Sequence, residues 1–257
     1  MSDSIIIYIL THKKFDYEYS EIYKPLLNGS ALLDEDFGYI RDDTGDNISE
    51  LNTYYAELTG EYWAWKNSNA DIIGFCHYRR YFVKNIFLEK LDENDINEIL
   101  KDYDIILPEI RHLHKSVIED VHDGHLDGAC HKKEDYYMIR EIIEEECPEY
   151  LESFDELMNG KEIYWFNMYI LRKDLYDKYC EWLFNILEIF RERNDFSQYD
   201  EGNARVLGYL AERLLNVYVK KHNLKVKEKL LHLTESKNPI LAIMHNRYAI
   251  LQRLHRA

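Results

Sequence analysis

Apolar residues run together without alternation in SIIIYIL, Ser4 to Leu10, and polar residues bound the run, which predicts a strand buried on both faces. ADIIGFCHYRRYF, YDIILPEI (Tyr103 to Ile110, closed by Pro108) and EIYWFNMYIL predict three more strands. Stretches of helical period lie between them. Ser49 caps a helix in which Tyr54, Leu58, Tyr62 and Trp65 share a face, and its end falls near Asn67. LEKLDENDINEILKD predicts an amphipathic helix, and KEDYYMIREIIEEECPEY one that Pro148 stops. KDLYDKYCEWLFNILEIFRER aligns Leu175, Tyr179, Trp182, Leu183 and Ile186, and NARVLGYLAERLLNVYVKKH and PILAIMHNRYAILQRLHR follow as helices. EIYKPLLNGSALL carries turn signals at Pro25 and Asn28-Gly29, and LDEDFGYIRDDTGDNISELN, with seven acids in twenty residues, reads as a long loop. Alternating strands and helices predict an α/β fold, a mostly parallel twisted sheet flanked by helices.

Composition sets the frame for this pattern. A chain of 257 residues, 46% hydrophobic, can bury a full core as one large domain. The formal charge of −16 repels nucleic acid and anionic lipid over most of the surface. From Lys220 to Ala257, however, nine Lys or Arg face only Glu228 and Glu235, a local +7 that leaves −23 for the rest. The expected organisation is therefore a domain over 1–220 and a basic helical C-terminal extension over 221–257. The extension either packs on the domain or faces a membrane with Arg247, Arg253 and Arg256. Cys76, Cys130, Cys147 and Cys180 are too scattered for a disulfide framework or a zinc ribbon and read as reduced thiols. No run of about 18 apolar residues occurs and no basic segment precedes the first strand, which predicts a cytoplasmic protein with at most peripheral membrane contact.

Chemistry is expected at the carboxyl ends of the strands, where ligands collect in open α/β sheets. THKK follows the first strand and HYRR ends the second, so His77, Arg79 and Arg80 suit an anion such as a diphosphate, the alternative being pairing with the chain's many carboxylates. Asp42, Asp43, Asp46 and Asn47 around Gly45 lack EF-hand spacing and read as a solvated turn or a binder of sugar hydroxyls. His112, His114, His122, His125 and His131, interleaved with Asp120, Asp123 and Asp127, have only loose metal spacing, so a metal is not favoured. A general base drawn from His131, Glu134 or Asp135 fits that region better. GxSxG, GxxxxGK[ST] and GxGxxG are absent, which weakens hydrolase and nucleotide-fold readings, and the regularly spaced Tyr and Trp read as core.

THK, YIRDDTGDNIS, N..Y.ELTG.YWAWKN, GFCHYRRYF, FNMYILRKDLYDKYCEWLF and GYLAERLLNVY together resemble the bacterial capsule and O-antigen polysaccharide glycosyltransferase family of galactofuranosyltransferase type, over residues 5 to about 220. The resemblance implies a GT-A-like domain that inverts at the anomeric carbon while moving galactofuranose from a UDP-sugar to a growing glycan or lipid-linked oligosaccharide. A non-catalytic carbohydrate-binding module of an assembly complex is the alternative. Carried over by motif, Thr11, His12 and Lys13 fall to the nucleotide, and Arg41, Asp42, Asp43, Thr44, Gly45 and Asn47 to the donor sugar or ribose. Asn167 falls to a sugar, and Glu212 and Arg213 either pair structurally or border the acceptor. With His77, Arg79 and Arg80 where related enzymes carry an Asp-x-Asp, no metal cofactor is required.

Overall fold

A computed structural model describes residues 3–85, 87–122, 132–200 and 202–234. Along the chain come β1 (Ile5–Thr11), β2 (Tyr23–Leu27), β3 (Ile40–Arg41), α1 (Asn52–Tyr55), α2 (Leu58–Asn67), β4 (Ile72–His77), β5 (Arg80–Val83) and α3 (Glu93–Ile99). There follow β6 (Ile105–Pro108), β7 (Arg111–His112), α4 (Val117–His122), α5 (Lys133–Glu146), α6 (Leu151–Asn159), β8 (Glu162–Ile163), β9 (Ile170–Arg172), α7 (Lys173–Arg193), α8 (Val206–Lys221) and β10 (Val226–Leu233).

Eight strands form the central sheet in the order β3-β2-β1-β4-β5-β10-β6-β9, and β7 pairs with β8 in a separate ribbon. The ladders give β1, β2, β3, β4, β6 and β10 one direction, with β5 and β9 opposed. β9 also pairs with β4, so the far half of the sheet curls back on itself. Gly74 makes this fork possible, because a Cβ there would stand 2.6 Å from Ile7 and 2.7 Å from Ile170.

The unbroken apolar run of β1 is explained by cover on both faces. Tyr8 and Leu10 join the large core formed with α2, α5, α7 and α8, whereas Ile5, Ile7 and Ile9 join a smaller core closed by Ile96 and Leu100 of the α3 region. Cys76, Cys147 and Cys180 are free and buried, as expected of reduced thiols. Tyr54, Tyr62 and Trp65 pack against the large core, and the Trp65 ring stacks on Phe184 at 5.7 Å.

Several expectations change. ADIIGFCHYRRYF is a hairpin, with His77 paired to Arg80 across a turn at Tyr78 and Arg79. The helix expected from Ser49 breaks at Ala56, whose φ is 48°. YKPLL is a strand despite Pro25, because β3 joins β2 only at Leu26 and Leu27 and leaves the rest of that side an edge. Only Ile170 and Leu171 of EIYWFNMYIL belong to a strand of the main sheet. The boundary expected at 220/221 does not separate a helical extension, since β10 lies inside the sheet between β5 and β6. The helix expected around Ile240 to Arg256 lies outside the described residues, as do Cys130 and His131. Among the described residues no helix is long and apolar enough to cross a membrane.

Candidate active site

β1 and β4 run in parallel with Leu10 opposite His77, so both strands deliver their C-terminal loops to one place. There the hairpin turn, the break after α1, the irregular segment before β9 and the first turns of α8 enclose a cavity of about 150 Å³. From the hairpin come His77, Arg79 and Arg80, from the N-cap of α8 comes Arg205, and from α8 itself Gly208, Tyr209 and Glu212. Ala56 and Glu57 form another wall, with Phe166 and Asn167 opposite.

Cations converge on this space. The Arg80 guanidinium lies 4.3 Å from the Phe166 ring centroid, which steers its planar head, and Arg205 donates to the Tyr209 hydroxyl at 2.9 Å. Thr11, His12 and Lys13 adjoin through Tyr78: the His12 ring meets the Tyr78 ring edge-on at 5.5 Å, and Lys13 Nζ stands 4.9 Å from its centroid. The Thr11 hydroxyl is spent locally, donating to the Lys13 carbonyl at 2.7 Å. Burial, then Arg80 and Arg79, bring the His77 pKa down to about 3, and burial, Lys13, Arg79 and Arg205 lower that of His12. Both imidazoles are thus neutral beside arginines, in a field that favours an anion. The N-terminus of α8 adds the positive end of its dipole.

Two carboxylates border the cavity. Glu212 pairs with the buried Arg213 at 2.9 Å, the structural pairing left open by the sequence. Glu57 accepts from Asn167 Nδ2 at 2.8 Å, and the same amide donates to the Gly208 carbonyl at 3.0 Å. Asn167 Oδ1 is buried and has no partner among the described residues. One helical turn beyond Glu57, burial pushes the Glu61 carboxyl well above the usual carboxylate range, and it accepts from the Tyr169 hydroxyl at 2.5 Å.

The other nominated residues lie elsewhere. None of Arg41, Asp42, Asp43, Thr44, Gly45 and Asn47 lines the cavity. Asp42 is fully buried and accepts from the Gly29 and Ser30 amides and from the Ser30 and Ser49 hydroxyls, so its lone pairs hold the loop. Arg41 and Asp43 form a forked pair at 3.2 and 2.8 Å. Thr44 accepts from Trp63 Nε1 at 3.0 Å, and Asn47 donates to the Gly45 carbonyl. Asp135 is likewise buried away from the cavity lining, bonded to the Tyr199 hydroxyl, with burial raising its pKa; Glu134 is exposed. The carboxylates at the cavity are Glu57 and the nominated Glu212; of the expected base candidates, Glu134 and Asp135 do not line it and His131 lies outside the described residues. Sequence reasoning also missed Arg205 and Tyr209, although Arg205, Tyr209 and Glu212 recur at spacings of four and three as a polar stripe on an apolar helix. Among the described residues no group of three or more His, Cys, Asp or Glu is arranged to hold a metal ion.

Comparison with known proteins gives two matches. Residues 6–223 match the model of a family described as a domain of unknown function, DUF4422. The apo structure of the bifunctional glycosyltransferase WbbM is similar to this chain, with a TM-score of 0.82 and 31% identity. The match covers 91% of this chain and 46% of WbbM, so the chain spans under half of that protein. No curated protein sequence matches.

Proposed function

The chain belongs to the DUF4422 family, and from that premise we propose that it is a GT-A-like inverting glycosyltransferase. In this reading it transfers galactofuranose from UDP-galactofuranose to a capsular, exopolysaccharide or O-antigen glycan, lipid-linked or free. The observation that carries it is the convergence of Arg79, Arg80 and Arg205 on one cavity at the ends of β1 and β4, in a chain 31% identical to part of a glycosyltransferase.

When a glycosyl–phosphate bond breaks, negative charge grows on the departing diphosphate. Guanidinium groups already fixed by Phe166 and Tyr209 meet that charge with little reorganisation. Their planar forks suit phosphate oxygens, so the arginines supply the neutralisation that a divalent ion supplies elsewhere. Lys13 extends the positive rim toward the nucleoside, and His12 offers an imidazole beside it. Asn167 Oδ1 is the acceptor for a sugar hydroxyl, and a single displacement inverts the anomeric centre.

The experiment is a measurement of free UDP released from a panel of UDP-sugars with galactoside acceptors, beside thermal unfolding with UDP in EDTA. Expected are UDP release with the furanose donor and a Tm raised by UDP without metal. Replacing Arg79 and Arg80 with alanine should weaken UDP binding at least tenfold, the scale of one lost charge-assisted contact, and leave unfolding without ligand near wild type. Sugar binding with no UDP release from any donor would leave a non-catalytic module in place of a transferase. A Tm shift that needs manganese would move the phosphate contact from the arginines to a metal.

A further inference from the structure

Two residues of the cavity wall hold backbone that side chains rarely adopt: Ala56 at φ 48° and Phe166 at φ 73°. Such conformations cost about 1–3 kcal/mol each and persist only where the surroundings impose them. Each is followed directly by a polar residue, Glu57 and Asn167, and these two side chains bond each other at 2.8 Å across the cavity wall. Both breaks thus serve one carboxylate–amide pair.

We propose that Glu57 is the catalytic base for the acceptor hydroxyl, with Asn167 as its positioning residue; this rests on the transferase reading above. Glu57 is half-buried, lines the cavity and has no ion-pair partner among the described residues, so its charge is available to a proton. Glu212, the other carboxylate there, is tied to the Arg213 guanidinium at 2.9 Å. Asn167 binds Glu57 Oε1 through a neutral N–H and orients it without quenching its charge. Glu61, one turn along α2, has its carboxyl pushed well above the usual carboxylate range by burial, and the neighbouring Glu57 adds to that shift.

In the transfer the acceptor O–H proton passes to Glu57 Oε2 while the acceptor oxygen bonds to the anomeric carbon. The bond from that carbon to the diphosphate oxygen breaks, and its electron pair leaves with the nucleoside diphosphate. One proton, one bond made and one bond broken complete the step.

The test uses the full chain with Glu57→Gln, Glu57→Ala, Asn167→Ala and Glu212→Gln. UDP binding by calorimetry should stay within threefold of wild type for Glu57→Gln, while kcat for transfer falls by about 10²–10⁴-fold. Azide has no proton to surrender, so it should restore donor cleavage in Glu57→Ala and yield the glycosyl azide. Asn167→Ala should lower kcat about tenfold with the donor KM little changed, a loss of orientation on the acceptor side. Glu212→Gln should lower kcat less than Glu57→Gln does. Transfer by Glu57→Gln within threefold of wild type overturns the assignment while leaving the transferase reading intact. So does loss of UDP binding in step with kcat, which marks a structural role. A wild-type protein that releases no UDP sinks the parent reading and this one with it.

Discussion

His77 faces the guanidinium groups of Arg79 and Arg80 from half-buried surroundings, and its pKa of about 3 makes it neutral throughout the physiological range. A diphosphate bound beside it reverses the local field, so its proton affinity must rise on binding. The His77 ring resonances, followed against pH with and without UDP, should show the titration moving up on binding, and a titration that UDP leaves in place would put the phosphates elsewhere. The same depressed value has a cost for the ligand-free protein. An unfolded histidine titrates near 6.5, so the contribution of a neutral His77 is complete above that pH. It is lost as pH falls toward 3, because the unfolded chain then binds a proton that the folded site refuses. His77→Gln should flatten that part of the stability profile, and UDP should flatten it in the wild type.

The break between α1 and α2 shows how an irregular element can serve a site. Asn52 Nδ2 donates to the Ala56 carbonyl at 2.7 Å and holds the chain out of helical register, so that Glu57 turns into the cavity. Alanine at φ 48° and ψ −127° is strained, whereas glycine adopts that region freely. Ala56→Gly should thus stabilise by about 1 kcal/mol once the entropy of the added glycine is deducted, seen as a Tm rise of about 2–4 °C. Transfer should fall at the same time, because the freed backbone holds Glu57 less firmly. A Tm lowered by that amount would show that Ala56 is unstrained. The same break marks the limit of what sequence reveals. β1, the first half of the hairpin, α5, α7 and α8 were legible because each buries a continuous face and its period survives in the residue order. The arginine cluster was legible too, as charge at the end of an apolar strand. Glu57 was not, since Tyr54, Leu58, Tyr62 and Trp65 keep helical spacing straight through the interruption. β10 was hidden for another reason: none of its side chains is fully buried, so VKEKLLHL looks like surface although its first half pairs with β6 and its second with β5. Asp42 misled because four hydrogen bonds to a loop leave the same composition as a sugar-binding turn.

Charge and connectivity meet in the C-terminal strand. A chain of net charge −16 repels anions over most of its surface, so the proposed dianionic donor requires cations that are concentrated and held in place. The hairpin that carries two of them is fastened from β10: Leu233 pairs with Arg80, the Thr234 amide donates to the Arg79 carbonyl at 3.0 Å, and the Thr234 hydroxyl donates to the Tyr78 carbonyl at 3.3 Å. A segment that reads as an appendage is thus part of the central sheet and fastens the arginine-bearing turn. Ending the chain after Leu224 would strip a strand from between β5 and β6 and leave two unpaired edges in the interior of the sheet, a loss of backbone bonding that the remaining core does not offset. That variant is expected to aggregate or to lose its cooperative thermal transition. Thr234→Pro, by contrast, removes one N–H and one hydroxyl at the rim and keeps the strand. It should unfold within a few degrees of wild type yet bind UDP several-fold more weakly, because the turn that presents Arg79 is loosened. A soluble, cooperatively folded protein after truncation at Leu224 would show that the sheet closes without β10, and unchanged UDP affinity in Thr234→Pro would show that the turn holds itself.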